Sequence, residues 1–131
     1  MAQELRVQLK ITGFDYDPRQ LTEIVGLAPS KTWVVDEFIE RTKRTYKSNG
    51  WRISVPGNIV EIEAGVDALL AVLAPRWEVL RDLSQTCSFE LSVVVYASGQ
   101  MPALHLRKDQ VRKFAELASD IDIDVYCYGG D

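Results

Sequence analysis

Histidine is almost missing from this chain of 131 residues; His105 is the only one. That excludes most multi-histidine metal sites. Cysteine is scarce too, with only Cys87 and Cys127. They form no Cys-x-x-Cys pair, so neither a zinc site nor thioredoxin-type chemistry is signalled. The eight glycines are scattered. They compose neither Gly-x-Gly-x-x-Gly nor Gly-x-x-x-x-Gly-Lys-Ser/Thr, which leaves nucleotide binding through a glycine-rich loop unsupported. No Gly-x-Ser-x-Gly elbow is present to mark a nucleophile. No apolar run approaches the ~20 residues that span a bilayer. The start, "MAQELRV", carries Glu4 and no apolar core of a secretory signal. The expected setting is therefore the cytoplasm, with both thiols reduced and buried. A basic excess is also lacking. The net charge of −4 argues against non-specific nucleic-acid binding.

What is present fits one domain, residues 1–131. The hydrophobic fraction of 47% and charged fraction of 26% are those of a globular protein. Its length suffices to bury a core without disulfide or metal.

The pattern of apolar residues predicts the elements. Leu5, Val7, Leu9 and Ile11 alternate with Arg6, Gln8 and Lys10, as in a half-buried strand. Asp17 and Pro18 start a short helix with Leu21, Ile24 and Val25 inward, and Gly26 caps its end. An extended segment around Thr32 to Val35 follows, then a polar loop or ragged hairpin to Gly50. "GWRISV" reads as a strand with Trp51, Ile53 and Val55 on one face, and "PGN" at 56–58 as a turn. Val66, Leu69, Leu70, Leu73, Trp77 and Leu80 give a helical stripe that Pro75 divides into segments 60–73 and 75–84. "CSFELSVVVYA" is a central strand with Phe89, Leu91, Val93 and Val95 on one face. "SGQMP" turns it into a short return strand, "ALHL". A helix follows with Val111, Phe114, Ala115 and Leu117 or Ala118 inward. "IDIDVYCY" closes the fold as a strand with Ile121, Ile123, Val125 and Cys127 inward. The predicted order is β-α-β-β-α-α-β-β-α-β. It implies an α+β two-layer sandwich, a mostly antiparallel sheet with helices on one face in a ferredoxin-like arrangement.

Three stretches together resemble a known family: "ITGFDYDPRQLTEIVGLAPSKTW", "NGWRIS" and "GQMPALHLRKDQVRKFAELASDIDIDVYCY". The order and spacing of the Asp-Pro helix start, the Gly-Leu-x-Pro turn, the Pro-x-Leu segment and the Asp-x-Tyr strand resemble the bacterial domain-of-unknown-function family numbered 4279. The resemblance spans nearly the whole chain. It implies no catalytic residue; the context it hints at is an immunity or accessory protein.

Three groups of residues offer chemistry. Asp120, Asp122 and Asp124 stand at every second position, so in a strand they share one face about 6.5–7 Å apart. Two of them can reach a hard cation such as Mg²⁺; equally, they are a solvent face that discourages strand aggregation. A calcium loop starting at Asp120 is excluded, because its sixth position is Val125 where glycine is needed. His105, between Leu104 and Leu106, has the pKa range of a general base, but the sequence names no partner, and a surface role fits as well. The third group is "RTKRTYKSNGWR", residues 41–52. Arg41, Lys43, Arg44, Lys47 and Arg52 interleave with Tyr46 and Trp51 and no acid intervenes. Such a mix can grip phosphates and stack bases, steer an acidic protein, or be a solvated loop balanced by Asp36, Glu37 and Glu40. Trp33 can line a groove with Trp51, although alternation places Trp51 in the core.

The expectation is a non-enzymatic binding domain with a protein partner, no cofactor and no metal, and either monomeric or homodimeric. Candidate contact residues are Trp33, Arg41, Lys43, Arg44, Tyr46, Trp51 and His105. Two alternatives stand beside it. One is a metal-assisted hydrolase using Asp122, Asp124 and His105. The other is a small-ligand or nucleic-acid binder using the basic stretch.

Overall fold

A computed structural model of the chain describes residues 4–55 and 59–128. The turn expected at 56–58 lies outside the described residues.

Strand β1 is Glu4–Thr12, followed by helix α1, Pro18–Val25. The Asp17 side chain accepts the Arg19 N–H at 2.8 Å, as an N-cap should. Gly26 ends the helix in the left-handed conformation, φ 76°, and Arg76 Nε donates to the Val25 carbonyl beside it at 2.7 Å. Two short strands come next, β2 (Lys31–Trp33) and β3 (Gly50–Ser54). Helix α2, Ile62–Leu73, runs through a 3₁₀ turn at Ala74–Arg76 into α3, Trp77–Leu83. Pro75 sits inside that turn, so α3 begins two residues after it. Strand β4 (Ser88–Ser98), helix α4 (Lys108–Glu116) and strand β5 (Asp120–Tyr128) complete the domain.

The strands form one mixed sheet in the order β2-β3-β1-β4-β5. The pairs β2/β3, β3/β1 and β1/β4 are antiparallel, while β4/β5 is parallel. The helices cover one face, making an α+β sandwich. On that helix face Val7, Leu9, Ile11, Trp51, Leu91, Val93 and Val95 are fully buried. They meet Val66, Leu69 and Leu73 of α2, Leu80 of α3 and Leu21 of α1 in one cluster. Gly65 lets α2 approach the sheet closely: a Cβ there would lie 2.6 Å from a Val7 methyl.

Several expectations are corrected. "ALHL" is no strand; residues 101–107 carry no ladder. The reason is topological. β4 has β1 on one side and β5 on the other, so no edge remains for a return strand. Helix α4 keeps Phe114 and Leu117 inward as expected, but Gln110 takes the place expected for Val111 and Ala115. Gln110, Phe114 and Leu117 are buried, whereas Val111 and Ala115 are exposed. Ile24 of α1 is exposed as well. Ile121, Ile123 and Val125 lie on the helix face opposite Leu91, Val93 and Val95, yet remain 37–40% exposed. α4 packs on α2 and α3, through Gln110 to Glu63 and through Trp77 to Phe114 and Glu116, and leaves the β5 edge uncovered. Cys127, expected to be buried, is exposed there, and Cys87 is half-buried; both are free. No helix among the described residues is long and apolar enough to cross a membrane.

Candidate functional site

Strand pairing sorts the face without helices into rows of charge. Lys31, Arg52, Lys10, Glu90 and Asp120 stand side by side across the five strands. Cations therefore adjoin cations at the β2/β3 side, and acids adjoin acids at the β5 side. Like charges directly opposite are unfavourable, so each end attracts a counter-charge. Lys10 meets Glu90 at 3.6 Å in the middle. The next polar row, Ser54–Gln8–Ser92, satisfies itself: Ser54 Oγ donates to Gln8 Oε1 at 3.0 Å, and Gln8 Nε2 to Ser92 Oγ at 3.4 Å.

At the cationic end, residues 34–49 connect β2 to β3 as an exposed hairpin. Its order has local causes. Phe38 and Thr45 pair as an isolated antiparallel bridge. Ile39 N–H donates to the Arg44 carbonyl at 2.9 Å and Tyr46 N–H to the Glu37 carbonyl at 2.9 Å. Thr42 Oγ1 closes the tip by donating to the Ile39 carbonyl at 2.8 Å and accepting Arg44 N–H at 3.1 Å. Asp36 and Arg41 take left-handed φ of 70° and 63° to make the bends. At the base, buried Asn49 accepts Val35 N–H at 2.8 Å and donates to the Tyr16 carbonyl at 3.0 Å.

A three-layer stack anchors the hairpin to the sheet. The Trp33 ring lies flat on Gly50, with ring carbons where a Cβ would stand. Tyr46 stacks on Trp33 at 5.1 Å, and Lys31 Nζ lies over the Tyr46 ring at 5.8 Å. Outside this anchor the hairpin is bare. Phe38 is 69% exposed, and Val34 and Val35 are exposed beside it. Arg41, Lys43, Arg44 and Lys47 are exposed. Among the described residues none of these four forms an ion pair, so Asp36, Glu37 and Glu40 are in direct contact with none of them.

The tryptophans do not form the expected groove. Trp51 faces the helices, fully buried, and its Nε1 donates to Thr22 Oγ1 at 3.0 Å. Trp33 is on the other face, under Tyr46. A one-residue shift in pairing register separates them: Trp51 is opposite Thr32, and Trp33 is opposite Gly50. Phe38 carried no periodic signal, since it and Ile39 form one short apolar pair between Glu37 and Glu40, and sequence reasoning missed it.

His105 and the aspartates are not brought together. His105 Nδ1 lies 3.2 Å from Glu63 Oε2, beside α2 on the helix side of the sheet. Asp122 and Asp124 project from the opposite face, beside Ser92 and Val94. Among the described residues no group of three or more His, Cys, Asp or Glu is placed to hold a metal ion. The Asp122 carboxyl raises the Asp124 pKa, by sharing a hydrogen bond with its protonated form and then by like charge; nearby Lys10 opposes this weakly. The consequence has a definite sign. A carboxyl whose folded pKa is raised binds its proton more tightly when folded, so its contribution becomes unfavourable as pH rises through the carboxylate range. Asp124→Asn is therefore expected to raise the melting temperature at neutral pH and to leave it unchanged below pH ~3, where both forms are neutral. Thermal unfolding at the two pH values checks this.

His105 belongs instead to a polar cluster joining α2 to α4. Arg107 reaches Asp67 at 2.7 Å, Asp109 at 3.1 Å and Glu63 at 3.3 Å. The Arg107 hydrogen bond, aided by Gln110, holds the Asp67 pKa below the ordinary carboxylate value. His105, Arg107 and Asp109 line a surface depression of about 870 Å³ with Leu106 and Val111, and Glu63 and His105 share a second of about 430 Å³. The cluster supplies no Ser, Thr or Cys nucleophile to either, and it fastens α2 to α4.

No curated protein and no solved structure is similar to the chain at a significant level. A family model matches it from residue 3 to residue 128, nearly the whole length, and its description is "Domain of unknown function". The strand, Asp-Pro helix and closing Asp-x-Tyr strand described above all fall inside that match, and the chain belongs to the DUF4279 family.

Proposed function

We propose that this is a non-enzymatic interaction domain that grips an acidic protein partner with the 34–49 hairpin and the adjoining cations Lys31 and Arg52. The observation that carries the reading is Phe38, 69% exposed on a hydrogen-bonded hairpin whose four cations, Arg41, Lys43, Arg44 and Lys47, form no ion pair among the described residues. An exposed aromatic on a hairpin that also carries exposed Arg and Lys is the composition of an interface anchor, with charge guiding the approach. The opposed charges at the two ends of the sheet face would also orient an incoming acidic surface.

A protein fits better than a nucleic acid. Gripping a strand by stacking needs several free aromatic faces; Tyr46 and Trp33 spend theirs on each other, which leaves Phe38 alone on the hairpin. The metal-assisted reading has no site, since the sheet lies between His105 and the two aspartates. An immunity or accessory role in a bacterial cytoplasm, with a toxin as the acidic partner, belongs to this proposal.

The test is a comparison of variants in the native host. Phe38→Ser with Arg44→Glu changes only exposed side chains, so folding stability should move by no more than about 0.5 kcal/mol. Co-purification should recover the partner with the parent chain and with a Lys108→Glu control on α4, and lose it with the hairpin variant. Recovery of the same proteins with all three would refute the reading.

A further inference from the structure

Among the described residues no strand pairs with the opposite edge of the sheet, and its chemistry is equally specific. β5 is an edge strand of nine residues. Its inner side pairs with β4 throughout, and no backbone hydrogen bond among the described residues engages its outer side. On the helix face it carries Ile121, Ile123 and Val125, each 37–40% exposed. Their β4 neighbours Leu91, Val93 and Val95 are buried. On the other face it carries Asp120, Asp122 and Asp124, followed by Tyr126, which stacks on Tyr96 at 5.5 Å and is half exposed.

An edge with unpaired backbone groups and an apolar row is a template for another strand. Its two faces decide which strand. Alternation has a period of two, so any register that lays an apolar row against Ile121, Ile123 and Val125 fixes what lies against the aspartates. A second copy of β5 is disfavoured. In an antiparallel pair, joining its isoleucine row to this one also joins the two aspartate rows, and like charges across strands repel. In a parallel pair the same edges meet only with one copy turned over, which lays its isoleucines on the aspartate face. A strand whose other face is cationic gains on both faces. It also brings a cation over Tyr126, where a ring face is available.

We propose that β5 is a strand-addition site for an extended protein segment in which apolar residues alternate with lysine or arginine. Its main-chain groups extend the sheet to a sixth strand, its apolar residues cover Ile121, Ile123 and Val125, and its cations meet Asp120, Asp122 and Asp124. This is recognition by added strand, with backbone bonds for affinity and alternate side chains for specificity. The site lies at the far edge of the sheet from the hairpin and does not depend on the hairpin's partner.

Three labelled heptapeptides test it by fluorescence anisotropy with the full chain at neutral pH. They are Lys-Val-Lys-Ile-Lys-Val-Lys, a reordered Lys-Lys-Val-Ile-Val-Lys-Lys of equal composition, and Glu-Val-Glu-Ile-Glu-Val-Glu. The alternating cationic peptide should bind about tenfold tighter than either other peptide. It should slow amide exchange across 121–127. Asp122→Asn with Asp124→Asn should weaken it by about tenfold, with circular dichroism unchanged. Equal binding of the reordered peptide overturns the proposal, because charge alone would then suffice. So does no binding at peptide concentrations on the order of 1 mM, binding without protection of β5, or a homodimer that occupies this edge by sedimentation.

Discussion

Gly50→Ala is expected to destabilise the domain by about 2–3 kcal/mol, a large effect for one methyl group. The added Cβ would fall 1.9 Å from Trp33 Cε2 and 2.0 Å from Cζ2, well inside van der Waals contact. Gly50 is in a strand, where alanine is ordinarily no worse than glycine, so backbone preference does not supply the cost. The ring does. Trp33 is buried between Gly50 and Tyr46 and must leave its place. That breaks an aromatic stack worth about 0.5–1.5 kcal/mol beyond its buried area. It also loosens the base of the hairpin, so the amides of Asp36 and Tyr46 should exchange faster than in the parent. A double-mutant cycle isolates the cause. In a Trp33→Ala background the same Gly50→Ala change should be nearly neutral. A full cost in that background would show that something other than the Trp33 contact sets it.

Gln110→Ala is expected to cost about 2–4 kcal/mol, more than removing the charged residue beside it. Gln110 is only 1% exposed. Its Oε1 accepts Arg107 N–H at 3.1 Å, and its Nε2 donates to the Glu63 carbonyl at 2.8 Å and to Asp67 Oδ1 at 2.9 Å. Truncation removes all three of these bonds, leaves a helix N-terminal N–H without its side-chain acceptor, and leaves a void. Arg107 makes more ion pairs, but its side chain is 38% exposed, where a pair is worth about 0–1 kcal/mol. The two variants also separate by pH. The Asp67 pKa is lowered in the folded chain, so the Arg107–Asp67 pair stabilises above the unfolded carboxylate pKa, and that contribution is lost as pH falls through the folded value. Arg107→Ala should therefore cost little in acid, while Gln110→Ala should keep most of its cost. Denaturant unfolding at neutral pH and near pH 2 checks both. A smaller loss for Gln110→Ala than for Arg107→Ala at neutral pH would mean that charge, not buried satisfaction, fastens α4.

Much of the fold was legible because the two faces of its elements differ in polarity. Alternation along Leu5–Ile11 and Phe89–Val95 placed β1 and β4 and named their inward sides correctly. Asp17, Pro18 and Gly26 marked the ends of α1 because capping is local chemistry. The misreadings arose where a distant neighbour decides. Alternation in "IDIDVYCY" revealed two faces but could not say that no helix covers the apolar one. "ALHL" alternates as a strand does, yet β5 occupies the edge it would need. In α4 Phe114 and Leu117 were placed inward correctly, but Val111 was taken for the third inward residue because Gln110 is polar and polarity patterns count it outside.

The candidate site was legible in part. The cations Arg41, Lys43 and Arg44 and the ring of Tyr46 were evident from composition. Trp51 was placed in the core by its alternation with Ile53, as the structure has it, and so is no contact residue. Trp33 and Gly50 required the β2/β3 register. Phe38 required seeing what the hairpin leaves uncovered.

The central claim is that the hairpin is the contact surface, and a photo-crosslinking residue at position 38 tests it most directly. The control is the same residue at position 111, where Val111 is exposed on α4. In the native host, position 38 should yield one discrete adduct with an acidic protein, and position 111 should yield none. Changing Arg41, Lys43 and Arg44 to glutamate should abolish the adduct while leaving the fold intact. No adduct at 38, an equal adduct at 111, or an adduct with nucleic acid would contradict the account.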